Sequence, residues 1–243
     1  MKITICTLFP EMFENFLQTS IIKKAQLQDY VVIDTVNIRD FTTDKHNRVD
    51  DYPFGGGAGL VMKVQPIADM LAHVVTPTSK VVYLTPVAPV LNQKKAKQLS
   101  HVDHLILLCG HYEGVDERVL QYVDDVLSIG DYILTGGEVA AMVVTDAVVR
   151  LIKGVISEDS VEIESFEDSL LEYPQYTRPA DYKGQKVPDI LISGHHQNIA
   201  WWQQKEAIRK TYLHRKDLLK KATLTKEQQK MLQEVLDEES ENH

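Results

Sequence analysis

Through roughly the first 150 residues, short runs rich in Val, Ile and Leu alternate with amphipathic stretches, and no other feature of the chain restricts its fold as strongly. The strand-like runs are residues 3–8, 31–37, 80–84, 104–109 and 124–129. The helix-like stretches between them are 10–17, 20–27, 64–75, 92–99, 116–122 and 137–152, with Pro10 suited to a first helical position. Strands that are apolar throughout must be covered on both faces, and helices between successive strands make those strands parallel. The expected class is therefore α/β, a Rossmann-like parallel sheet over residues 1–153. Beyond it the periodicity stops. Residues 154–173 read as a linker or functional loop, and 174–243 as a small helical C-terminal domain, in which Thr225 and Gln228 have capping-box spacing.

Composition removes several classes of function. At 243 residues and 44% apolar content the chain can bury a substantial core. No run reaches the roughly 18 apolar residues of a membrane span, and "MKITICTLFPEMF" has no small-residue cleavage site behind it, so a cytoplasmic protein is expected. The two cysteines, Cys6 and Cys109, each lie in an apolar run and read as buried, reduced thiols. A net charge of −9 opposes indiscriminate polyanion binding. It hides a local reversal, because residues 203–221 carry seven Lys/Arg against two acids. That stretch reads either as a solvated helical face or as a phosphate-contacting surface. There is no Gly-Lys dipeptide and hence no Walker loop, "GGGAGL" fails the dinucleotide fingerprint, and no metal-binding spacing occurs.

Three loops follow three of the strands: "LTPVAP", "GHYEGVDER" and "GDYILTGGE". In an open α/β sheet, ligands bind beyond the carboxyl ends of the strands, so these loops should converge on one pocket. Any one of them alone could be a turn whose glycines supply positive φ. Together they point to a bound small molecule.

The stretch "LCGHYEGVDERV" followed by "SIGDYILTGGEVAAMVVTDAVVRLI" resembles the signature of the bacterial tRNA (guanine-N1)-methyltransferases of the trefoil-knotted SPOUT class. The likeness continues through "LFPEMF", "RDFTTDKHNRVDDYPFGGGAGLVMK", "LLEYPQYTRPADYKGQKVPDILISGHHQNIAWW" and "HRKDLL", in order and nearly end to end. It implies a deep trefoil knot in the α/β domain that binds S-adenosylmethionine. By resemblance the cofactor site is lined by Leu84, Thr85, Pro86, Gly110, Tyr112, Glu113, Ile129, Gly130, Tyr132, Leu134, Gly136 and Gly137. It further implies a homodimer, with each active site drawing on the knot of one subunit and on the linker and C-terminal domain of the other. The substrate implied is tRNA, methylated on N1 of the guanine just 3′ of the anticodon.

That nitrogen carries a proton, so the transfer needs a base. The family's base is an aspartate immediately before Ser-Phe; here Glu164 holds that position, in a loop one residue shorter, with Asp159 and Asp168 as nearby substitutes. An ordinary Glu titrates near pH 4.3, roughly, far below a guanine N1–H, so burial of the carboxylate or a cation on O6 must assist. Arg150 aligns with the family's functional arginine and fits that cation. Asp50 is the expected contact to the neighbouring guanine, and Lys205, Arg209, Lys210, Arg215 and Lys216 the expected phosphate contacts. Glu113 could hold a Mg²⁺ ion, although no metal site as such is expected. Val87 and Ala88 stand where the family usually has Gln-Gly, and Lys153 where it has Pro. Two alternatives stay open at this point: a knotted methyltransferase of another RNA nucleoside, and a tRNA-binding relative without turnover.

Overall fold

The computed structural model describes residues 1–156 and 170–241. The chain divides into two compact units, Met1–Glu158 and Asp159–His243.

The first unit begins with β1 (Lys2–Thr7), a 3₁₀ turn at Pro10–Phe13, α1 (Glu14–Leu17), α2 (Ser20–Leu27) and β2 (Val32–Asn37). A two-residue antiparallel ladder, β3 (Asp50–Asp51) with β4 (Val61–Met62), precedes α3 (Val64–Val74). There follow β5 (Ser79–Leu84), α4 (Gln93–Leu99), β6 (His104–Cys109), β7 (Asp125–Leu127) and α5 (Glu138–Val149). The five longer strands form one sheet in the order β2-β1-β6-β5-β7, every pair parallel. The α/β class with a parallel central sheet is therefore as the sequence pattern implies.

The core forms two layers because successive side chains of a strand point to opposite faces. Leu105, Leu107 and Cys109 of β6 face the layer built by α2, α4 and α5, where Ile22, Leu99, Ala141, Val144 and Val148 are buried. Ile106 and Leu108 face the layer of α3, where Ile67, Met70 and Leu71 are buried. All six residues of β6 are buried, which is why it reads as an unbroken apolar run from Leu105 to Cys109. Residues 117–122 form a 3₁₀ helix rather than an α-helix, capped by the Asp116 carboxylate, which accepts from the Arg118 N–H at 3.0 Å. The chain must re-enter the sheet at Asp125 three residues after this helix ends, and a tight, short helix suits that return.

In the second unit a two-residue hairpin, β8 (Asp181–Tyr182) and β9 (Gln185–Lys186), turns through Lys183 and Gly184 at φ +56° and +84°. Positive φ at both central residues is what a tight hairpin turn demands. Helix His196–His214 packs against helix Lys226–Glu241 through buried Ile208, Thr211, Met231 and Val235. The second helix opens with the expected capping box: the Thr225 N–H donates to Gln228 Oε1 at 2.9 Å, and the Gln228 N–H to Thr225 Oγ1 at 3.2 Å. Among the described residues no helix is long and apolar enough to cross a membrane.

Burial holds the thiols of Cys6 and Cys109 well above their ordinary range, and the nearby Glu138 carboxylate adds to the effect at Cys109. The native protein is therefore expected to leave both thiols unmodified by an aromatic disulfide reagent, with both reacting in guanidinium. Rapid modification of either in the native protein would contradict the packing described here.

Candidate active site

The carboxyl ends of β5, β6 and β7 lie side by side in the sheet, and the loops leaving them enclose a cavity of about 600 Å³. This is the size range of small-molecule sites. All twelve residues expected at the cofactor line it: Leu84, Thr85 and Pro86 after β5; Gly110, Tyr112 and Glu113 after β6; Ile129, Gly130, Tyr132, Leu134, Gly136 and Gly137 after β7.

Backbone geometry explains the glycines. The Gly137 N–H donates to the Gly110 carbonyl at 2.7 Å, and a Cβ on Gly137 would lie 2.8 Å from the Cys109 Cα and 3.0 Å from the Gly110 nitrogen. No side chain fits between these strands of backbone. At Gly130 a Cβ would fall 2.4 Å from the Tyr132 ring, which folds back so that its hydroxyl donates to the Ile129 carbonyl at 3.3 Å. The loop after β7 is also tied to the loop after β5, since the Ser128 N–H donates to Pro89 O and the Leu91 N–H to Ser128 O.

Among the described residues lining the cavity there is no lysine or arginine, whereas Glu113 and Glu117 bring carboxylates to it. A phosphate would find no lysine or arginine among these described residues, whereas a cationic group would find carboxylates. Among the described residues no group of three or more His, Cys, Asp or Glu side chains converges on a metal-sized site.

The glycine-rich stretch 55–59 ends against the same wall. Gly59 has φ +81°, and a Cβ on it would sit 2.4 Å from Glu113 Oε1. The Glu113 N–H donates to Leu60 O and the Met62 N–H to Gly114 O, so β4 runs alongside the loop after β6. Asp50 is the register partner of Met62 on β3 and is half-buried. Arg150 caps the C-terminus of α5, its N–H donating to Asp146 O at 3.2 Å. Glu164 lies outside the described residues, as do Asp159 and Asp168.

The five basic residues of the second unit fall into two groups. Lys205 is buried and pairs with Glu234 and Glu238, each at 2.8 Å. Arg209 pairs with Glu206 at 3.1 Å, with Glu239 at 2.7 Å and with Glu238. These two cations meet carboxylates of the C-terminal helix, which net composition could not reveal. Arg215 pairs with Asp217 at 2.8 Å, Lys216 stands 4.5 Å over the Tyr212 ring, and Lys210 is half-buried on the same helix as Tyr212.

With this geometry in view, comparison with known proteins is decisive. The family model described as tRNA (Guanine-1)-methyltransferase TrmD matches residues 1–221. The chain belongs to this family. Relatives named tRNA (guanine-N(1)-)-methyltransferase include one from Dictyoglomus turgidum, 53% identical over 236 residues, covering 97% of this chain and 96% of the relative. Another, from Bacillus cereus strain AH820, is 51% identical over 240 residues, covering 97% and 98%. One from Bacillus anthracis strain CDC 684 matches to the same extent, 51% over 240 residues.

Sequence reasoning did not single out His111, which lines the cavity, or Glu138, which lies against the cavity residue Gly136. The only available signal was their place, inside the glycine-bearing loops "GHYEGVDER" and "GDYILTGGE".

The tight crossing at Gly137 yields a test. Gly137→Ala must push the Gly110 and Gly136 walls apart, and overpacking of this kind costs about 1–3 kcal/mol. Denaturant unfolding should register that loss together with lost affinity for the methyl donor. An alanine variant with unchanged stability would contradict the close approach.

Proposed function

We propose that this chain methylates N1 of the guanine just 3′ of the tRNA anticodon, with S-adenosylmethionine as donor. A slot formed by three strand-end loops, walled by backbone and carboxylates and without a lysine or arginine among its described lining residues, carries this reading. The residues fit the donor. Backbone amides and carbonyls near Leu134, Gly136 and Gly137 suit an adenine edge, and Glu113 suits a cationic group. When bound, S-adenosylmethionine supplies an electrophilic methyl on a sulfonium.

In this reading the loop crossings at Gly137–Gly110 and Ser128–Pro89 belong to a deep trefoil knot. Residues 1–153 act as the donor-binding domain, 154–173 as the active-site linker and 174–243 as the tRNA-binding domain. Glu164 takes the guanine N1 proton, while Arg150 stabilises the charge that develops on O6. Without that cation the mismatch between an ordinary carboxylate and guanine N1–H would cost about 1.36 kcal/mol for each unit by which their pKa values differ. Asp50 accepts from the N–H edge of the neighbouring guanine. The phosphate surface centres on Lys210, Arg215 and Lys216: Lys205 and Arg209 are each held by two or more carboxylates, whereas the Arg215–Asp217 pair is exposed to solvent.

A homodimer is part of the proposal. Helix α5 exposes Val139 and Val143, and the cavity loops expose Val87 and Ile133, apolar side chains of the kind that association covers. Working on tRNA, such an enzyme would act in the cytoplasm. Val143→Glu should then shift the protein towards monomer in light scattering and lower turnover with it.

The activity is tested by incubating the protein with methyl-labelled S-adenosylmethionine and paired transcripts carrying guanosine or adenosine at the target position. Label is expected only in the guanosine transcript, and Glu164→Gln should abolish transfer while donor binding persists. Equal labelling of both transcripts would favour another nucleoside as target. Binding without any transfer would favour a non-catalytic relative.

A further inference from the structure

The proposed transfer leaves Glu138 and His111 without a task. Glu138 opens α5 and is only 3% exposed. Its Oε1 accepts from the Thr7 hydroxyl at 2.9 Å, and the oxygen of that hydroxyl accepts from the Phe9 N–H at 2.9 Å. Its Oε2 lies 3.7 Å from His111 Nδ1, beyond hydrogen-bond reach, and Nδ1 is buried without a hydrogen-bond partner. Burying a carboxylate is expensive unless its oxygens are satisfied. A helix N-terminus and one hydroxyl offset part of that cost.

The location gives the pair a purpose. A Cβ on Gly136 would fall 2.3 Å from Glu138 Oε2 and 2.4 Å from His111 Nδ1, so both side chains close on one glycine. Gly136 and His111 also pair as an antiparallel bridge. The His111 ring lies 4.9 Å from that of Phe9 and edge-on to that of Tyr112 at 5.0 Å, and Tyr112 lines the cavity. The end of β1, the loop after β6 and the loop after β7 thus meet at one carboxylate.

We propose that Glu138 and His111 are a positioning pair that sets the spacing between the Gly110 and Gly136 walls of the donor slot. This rests on reading the cavity as the donor site. A movement of about 1 Å would bring the Nδ1–H onto Oε2. A ligand that draws the two walls together gains that hydrogen bond, and only such differential affinity can shift the spacing. Neither residue handles the methyl group or the guanine proton.

The experiment is calorimetric titration of S-adenosylmethionine into the full-length wild type, Glu138→Gln, His111→Phe and the double variant, with melting temperature and steady-state kinetics measured alongside. Each single change should weaken donor binding about tenfold, and the double change little more, because both remove one interaction. KM for the donor should follow Kd, while kcat at saturating donor falls by less than about twofold. A lowered melting temperature with unchanged donor Kd would mark a merely structural pair and overturn the proposal, as would singles that multiply in the double. Should Glu138→Gln fail to fold, His111→Phe decides alone, and an unchanged Kd there refutes the pair. A wild type that takes up no donor overturns the reading of the cavity itself, before any variant is compared.

Discussion

Everything at this site depends on two segments of backbone lying in contact with nothing between them. The Gly137 amide reaches the Gly110 carbonyl across a gap with no room for a Cβ. That approach fixes the loop after β7 against the loop after β6, and the Ser128 and Leu91 amides fix it against the loop after β5. The parallel sheet supplies the other half of the constraint. Its order sets β6, β5 and β7 side by side, so three loops leave it at neighbouring ends and have one space to enclose.

The chemistry of that space follows from how it is walled. Loops held by main-chain hydrogen bonds present amides and carbonyls, which distinguish a nucleobase edge by shape and polarity rather than by charge. With carboxylates and no lysine or arginine among the described lining residues, the cavity favours a ligand that is neutral or positive. A sulfonium nucleoside has that character and a nucleoside polyphosphate does not. The same reasoning explains why the glycine-bearing turn "TGGE" needs no lysine beside it.

Much of the fold was legible because its signals are local. Strand 104–109 is apolar at every position after His104 since it is central and covered on both faces, and helix 20–27 begins and ends where its periodicity does. Asn92 announces the helix it caps, accepting from the Lys95 N–H at 2.9 Å. That three glycine-bearing loops share one pocket was legible from their places at strand ends, and twelve of its lining residues from family likeness. What escaped was long-range. The ladder of Asp50–Asp51 with Val61–Met62 is too short to leave a pattern. Glu138 reads as an ordinary first-turn acid until Thr7, more than a hundred residues earlier, is seen to donate to it. Lys205 and Arg209 read as a basic face until the C-terminal helix brings three glutamates onto them.

Hydrogen-exchange mass spectrometry of the full-length protein, with and without S-adenosylmethionine, tests the central claim most directly. Three separate segments, 84–91, 110–115 and 128–137, should slow together on donor binding if, as proposed, their main-chain groups hold the donor. Protection confined to other parts of the chain, or to one of these segments while the other two exchange as before, would contradict a single slot built from three strand ends.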